Sequence, residues 1–208
     1  MKQKTRKQRY REITSAADKE LNATVVELAE VYLKDFPDSQ GAWSMYSFAL
    51  YRTDRIKDAK KALHKLLKLT GESDENFSWY LCRMGRIYED SGHFHKAIEW
   101  FHKAHLANPL EATFLIYKGV LFLRTEKYDE ASKTLIEATK CSEGCIEEAF
   151  YNLGVVRIAQ KRYEEALVCF ENAIEIDRKY KEAKQQFKDM QQVLSILKNQ
   201  IPTVGSAV

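Results

Sequence analysis

The chain has 208 residues, 45% of them hydrophobic and 30% charged, which is enough apolar content for a packed core and too much for a disordered chain. No apolar run reaches the roughly 20 residues a membrane-crossing helix needs, and nothing apolar follows the opening Met1-Lys2-Gln3-Lys4-Thr5-Arg6-Lys7, so neither membrane insertion nor a secretory signal is predicted. The net charge of +3 is unevenly spread, with six cations and no acid in the first eleven residues and a mildly acidic remainder.

In chain order, residues 1–18 read as a basic N-terminal arm with helical character in part, carrying Lys2, Lys4, Arg6, Lys7, Arg9 and Arg11. Residues 19–39 read as a degenerate half repeat, Val25-Val26-Glu27-Leu28-Ala29, closed at Phe36-Pro37. From residue 40 onward the chain is self-similar at a fixed period. Tyr163-Glu164-Glu165-Ala166, with Phe170 and Ala173, is anticipated by Tyr128-Asp129-Glu130-Ala131, by Phe94-His95-Lys96-Ala97 and by Ile56-Lys57-Asp58-Ala59. Each is preceded by a second segment ending in a small residue: Tyr46-Ser47, Met84-Gly85, Lys118-Gly119 and Leu153-Gly154. Apolar spacing of three and four predicts two helices per period. The small residues allow two backbones to approach, because a bulkier side chain would hold them apart. The repeats span 40–77, 78–111, 112–146 and 147–180. Phe187, Met190, Val193, Leu194 and Leu197 then form one apolar stripe, which predicts a capping helix over 181–199 and a flexible tail over 200–208.

Four copies in register of large apolar, Leu, Gly, then aromatic, Ala, large apolar, Ala resemble the tetratricopeptide repeat over roughly residues 20–180. Lys118, Arg157, Leu66 and Ser47 depart from the usual residue in their slots. The resemblance implies an all-α, right-handed helical-hairpin solenoid with a C-terminal capping helix. It also implies a concave face built from the first helix of each repeat, lined by Ser44, Phe48, Tyr51, Trp79, Cys82, Arg86, Glu89, Thr113, Ile116, Val120, Leu123, Glu148, Tyr151 and Val155. Such a face suits a protein partner, either an extended peptide or an amphipathic helix with apolar anchors. Some relatives clamp a chaperone C-terminal carboxylate with lysines and asparagines. Neither frame here, Ser44, Phe48, Arg83, Thr113 and Tyr117 or Cys82, Arg86, Tyr117, Glu148 and Asn152, supplies that opening.

The chemistry-bearing residues point away from catalysis. No nucleophile stands beside a base and no glycine-rich phosphate loop is present, so no enzyme activity, cofactor or metal is predicted. His95, Glu99 and His102 share a helical face, for which a solvated surface weighs more than a metal. Cys141 and Cys145 lack a second pair, so all four cysteines are expected as free thiols in a cytoplasmic protein, with nuclear residence left open. The expected function is a noncatalytic scaffold or adaptor. A dedicated assembly chaperone, and a nucleoprotein-associated adaptor using the basic arm, stand as alternatives. Cover of the groove by the C-terminal helix or by a second copy is the competing reading. Ser206-Ala207-Val208 also matches a PDZ-ligand ending, a pattern common by chance.

Overall fold

The computed structural model describes residues 4–200, with side chains as far as residue 197. Among the described residues it is all helix and loop, 78% helical and without strands. The chain forms two compact units, residues 1–107 and 108–208. In the first, α1 (Arg6–Asp18) pairs with α2 (Asn22–Asp35), α3 (Gln40–Arg52) with α4 (Ile56–Thr70), and α5 (Phe77–Asp90) with α6 (Phe94–Ala107). The hairpins stack through α2 on α3 and α4 on α5. In the second, α7 (Thr113–Arg124) pairs with α8 (Tyr128–Ala138) and α9 (Ile146–Ala159) with α10 (Tyr163–Ile176), and α11 (Lys181–Gln200) packs on α10. None of these helices is long and apolar enough to cross a membrane.

The recurring small residues do what the spacing predicts. A Cβ built at Gly85 would lie 2.6 Å from the Phe101 ring, at Gly119 2.7 Å from Leu135, and at Gly154 2.6 Å from the Phe170 ring. In each hairpin the large side chain of the second helix fills the notch that glycine leaves in the first. The partner alanines Ala59, Ala97, Ala131 and Ala166 are wholly buried. In the second hairpin Ser47 takes the glycine's place, and its hydroxyl, buried with it, is satisfied by donating to the Ser44 carbonyl at 2.9 Å.

Each hairpin turn repeats one backbone device. A single residue takes a left-handed conformation: Glu20, Asp54, Gly92, Glu126 and Lys161. The next amide then donates back across the turn, in Leu21 to Ala16, Arg55 to Leu50, His93 to Tyr88, Lys127 to Phe122 and Arg162 to Arg157, at 2.8–2.9 Å. The first of these turns lies upstream of the four repeats legible in sequence, so α1 and α2 form a whole hairpin rather than a half repeat. The reason sequence shows only half is compositional. Ile13 and Ala16 are the buried residues of α1, and arginines supply part of its packing. Arg6 lies 4.7 Å from the Phe36 ring centroid and Arg9 5.6 Å from those of Tyr32 and Phe36, while Arg9 also pairs with Asp35 at 2.6 Å.

The unusual residues in the second unit have local partners. Arg157, 7% exposed, donates to Ser132 and to Gln160 at 2.8 Å and pairs with Glu165 at 3.2 Å, so the cation replacing an aromatic is fully engaged. Lys118 is half-buried, and that burial presses its pKa below the ordinary lysine value. One connection has no counterpart in the sequence pattern. The loop after α8 pairs with the segment before α7 through Ala112 to Glu143 and Glu143 to Leu110, each at 3.0 Å. The Glu111 carboxylate accepts from the Thr113 amide at 3.0 Å, and the left-handed Gly144 packs so closely on it that a Cβ would strike it.

Candidate interaction face of the first unit

The first helices of the N-terminal unit present one side of α3 and α5 together. Arg83 on α5 donates across to α3, to the Ser44 carbonyl at 3.1 Å, with the Ser47 hydroxyl at 3.4 Å. Its guanidinium stands over the rings of Phe48 and Tyr80 at 5.5 and 5.7 Å. Burial lowers the Arg83 pKa from its ordinary value. At the other end of the same two helices the Tyr51 hydroxyl donates to the Asp90 carboxylate. Burial first, then that bond, push the Tyr51 pKa up to about 12, so the phenol stays a donor across the physiological range. These two ties fix α3 against α5 and leave Phe48, 46% exposed, and Trp79, 42% exposed, standing out of the surface. Trp79 sits one helical turn from Arg83.

A cavity of 380 Å³ opens beside Phe48, lined among others by Val25, Ser44, Met45, Arg52 and Arg83, with Glu20 the single carboxylate in its wall. A second, of 490 Å³, lies between Tyr51, Arg52, Asp54 and Asp90. Apolar rings beside two arginines can receive a bulky apolar side chain and an acidic group together.

The other residues assigned to the face fall in several environments. Arg86 is exposed and pairs with Glu89 at 2.9 Å. Cys82 and Ile116 are corrections: they are 4% and 1% exposed and belong to the core rather than to an open face. In the second unit Val120 and Leu123 pack against the cluster of Leu115, Ile116 and Leu135. Tyr151 and Val155 pack against the cluster of Phe170 and Met190, joined there by Phe187 and Val193 of α11. The Tyr151 ring lies 5.7 Å from Phe170 and 5.2 Å from Tyr180, which leads into α11. The cluster these two residues join thus includes side chains of the chain's own C-terminal helix. Glu148 is half-buried there, and burial first, then Glu147, raise its pKa above the ordinary carboxylate value. Sequence spacing defines the slots of a repeat; it carries no sign of which slots α11 occupies. Arg52, Met45 and Tyr80 also stand beside this face, at positions outside the concave-face slots of the repeat.

The remaining candidates are dispersed. Lys4 pairs with Glu12 at 2.6 Å, Arg6 and Arg9 pack on α2, and Lys7 and Arg11 are exposed; Lys2 lies outside the described residues, as do 201–208 with Ser206, Ala207 and Val208. His95 meets Glu99 at 3.1 Å on an exposed surface. The four cysteines are free thiols, with Cys82 and Cys169 buried. Burial, then nearby carboxylates, raise the thiol pKa of Cys141 and Cys145, which makes them poor nucleophiles.

Comparison with known proteins agrees with this architecture. The tetratricopeptide repeat profile matches residues 147–180, and the profile described as the MAP3K TRAFs-binding domain matches residues 10–136. The mitochondrial import receptor subunit TOM70 of Homo sapiens is 25% identical over 148 residues, 67% of this chain. The chain spans only 24% of that protein's length. Among solved structures, YrrB, a TPR protein with an unusual peptide-binding site, superposes with a TM-score of 0.63 at 18% identity, covering 85% of this chain and 88% of YrrB. The first TPR of Spaghetti (RPAP3), bound to an HSP90 peptide, gives 0.53 at 22% identity, covering 59% of this chain and 96% of that one. By its hairpins, glycine notches and turns the chain is a tetratricopeptide-repeat protein, and it belongs to the family described as the MAP3K TRAFs-binding domain.

Proposed function

We propose that the chain is a noncatalytic scaffold that holds a segment of a partner protein on the α3–α5 face of its N-terminal unit. The observation that carries this reading is the exposure of Phe48 and Trp79 on helices locked together by Arg83 and Tyr51. Large aromatics held rigidly at a surface offer area at small entropic cost, which is what an interaction hot spot needs. Support also comes from fold: the Spaghetti repeat domain is bound to an HSP90 peptide, and YrrB has a peptide-binding site. The segment that fits carries one or more bulky apolar side chains for Phe48 and Trp79, with acidic groups placed for Arg52 and Arg83.

Selection of a random peptide library on the full chain tests this. Recovered peptides are expected to combine aromatic or aliphatic anchors with Asp or Glu. Their affinity should fall roughly tenfold or more when Phe48 and Trp79 are both replaced by alanine, given the ~2 kcal/mol typical of a hot-spot truncation. Peptides that bind both forms equally would remove the site.

A further inference from the structure

The second helices of the same unit carry a different surface. Together α4 and α6 bear seven lysines against two carboxylates. A cavity of 620 Å³ opens there, lined among others by Leu67, Lys68, Glu72, Phe77, Trp100 and Lys103. Its apolar part is substantial, and Leu106 on its rim is 63% exposed. The Lys103 ammonium lies 4.4 Å from the Trp100 ring centroid, and His64 meets the same ring edge to face at 5.8 Å. Among the described residues neither Lys68 nor Lys103 forms an ion pair, and Glu72 is the single carboxylate in the cavity wall.

Two turns back toward the N-terminal ends of α4 and α6 a second pair of cations converges. Lys60 lies 4.2 Å and Lys96 5.6 Å from the Tyr88 ring centroid. Burial, then Lys96, press the Lys60 pKa below its ordinary value, as two cations brought together without a counterion require. Lys60 and Lys68 are eight residues apart on α4, so the two pairs are spaced by about 12 Å along the helix. Between them lie His64 on α4 and Trp100 on α6, and beside Trp100 stands Glu99, which pairs with His95 at 3.1 Å.

We propose that this α4–α6 cleft is a second docking site, for a short acidic amphipathic segment of a partner protein. One bulky apolar side chain of that segment enters the cavity among Leu67, Phe77, Trp100 and Leu106. Its carboxylates meet Lys68 and Lys103 at one end and Lys60 and Lys96 at the other. The charge argues for an anion, and the apolar lining argues for a protein segment over nucleic acid, whose phosphates have no use for it. This site is independent of the α3–α5 face.

The test titrates the full chain with a synthetic helical peptide bearing leucine on one side and glutamate on the other. Oligouridylate and phosphatidylserine-containing vesicles serve as the competing anions. The expected result is peptide binding weakened roughly tenfold or more by Lys68→Glu with Lys103→Glu, and likewise by Lys60→Glu with Lys96→Glu, each variant keeping the parent's helical spectrum. The Phe48→Ala, Trp79→Ala protein is expected to bind this peptide undiminished, which separates this site from the first. Absent peptide binding, binding indifferent to both lysine pairs, or tighter lysine-dependent binding of oligouridylate or vesicles would each overturn the proposal. A lysine pair whose reversal unfolds the chain is replaced by Leu106→Glu on the exposed rim, with the same expected loss.

Discussion

A methyl group added at Gly154 would lie 2.6 Å from the Phe170 ring, which is wholly buried and has nowhere to go. Two effects oppose each other in Gly154→Ala: helix propensity favours alanine by about 1 kcal/mol, and overpacking costs about 1–3 kcal/mol. Overpacking is expected to win, lowering the urea midpoint; a raised midpoint would show that the notch is not tight. The turns carry a sign test of the opposite sense. Lys161 holds φ at 60° at a position where the corresponding turn of the third hairpin uses Gly92. Lys161→Gly is therefore expected to stabilise the chain by up to about 1 kcal/mol, since the left-handed conformation costs a residue with a Cβ about that much. Glu148 tests the electrostatics of the second unit. Its pKa is raised in the fold, so the folded chain holds the proton more tightly than the unfolded one. That costs nothing at low pH, where both states are protonated. The penalty grows as pH rises through the unfolded value and is complete above the folded one. Glu148→Gln should accordingly raise Tm at pH 7 and leave it unchanged near about pH 3; an equal gain at both would assign the effect to packing instead.

At the scale of the element, α11 is the helix whose role is most readily removed. Ala183 and Met190 are buried, and Phe187 and Val193 pack with Met190 against the cluster of Ala166 and Phe170. Ending the chain at residue 180 strips this cover and is expected to cost about 3 kcal/mol or more, at about 1.5–3 kcal/mol per large apolar side chain, with increased binding of an apolar dye. An unchanged denaturation curve would show α11 to be an ornament. Most elements were legible in sequence because one signal, apolar residues at three and four with a small residue in step, reports both the helix and its packing partner. The exceptions have physical reasons. In α1 the signal is diluted, since arginine stems and guanidinium faces over Tyr32 and Phe36 stand where aliphatic chains would. The link between Glu111 and Glu143 leaves almost no pattern, because backbone groups make it and only Gly144 marks it.

For the molecule as a whole, the candidate face was half legible. Phe48, Trp79 and Arg86, assigned to the face by repeat position, are exposed. Cys82 and Ile116, assigned in the same way, are buried, and a slot number says nothing about how deeply neighbouring helices bury it. Tyr151 and Val155 join a cluster that includes Met190 of α11, an element outside the repeat, which repeat position alone does not show. Partner capture therefore belongs to the N-terminal unit in the proposed function, on the side where α3 and α5 meet. The most direct measurement is backbone and indole NMR of the full chain during titration with a library-selected peptide. Shifts are predicted to concentrate on the Trp79 indole and on Ser44, Phe48 and Arg83, and to vanish in the Phe48→Ala, Trp79→Ala protein. Shifts confined to other helices, with the Trp79 indole unmoved at saturation, would contradict partner capture at this face.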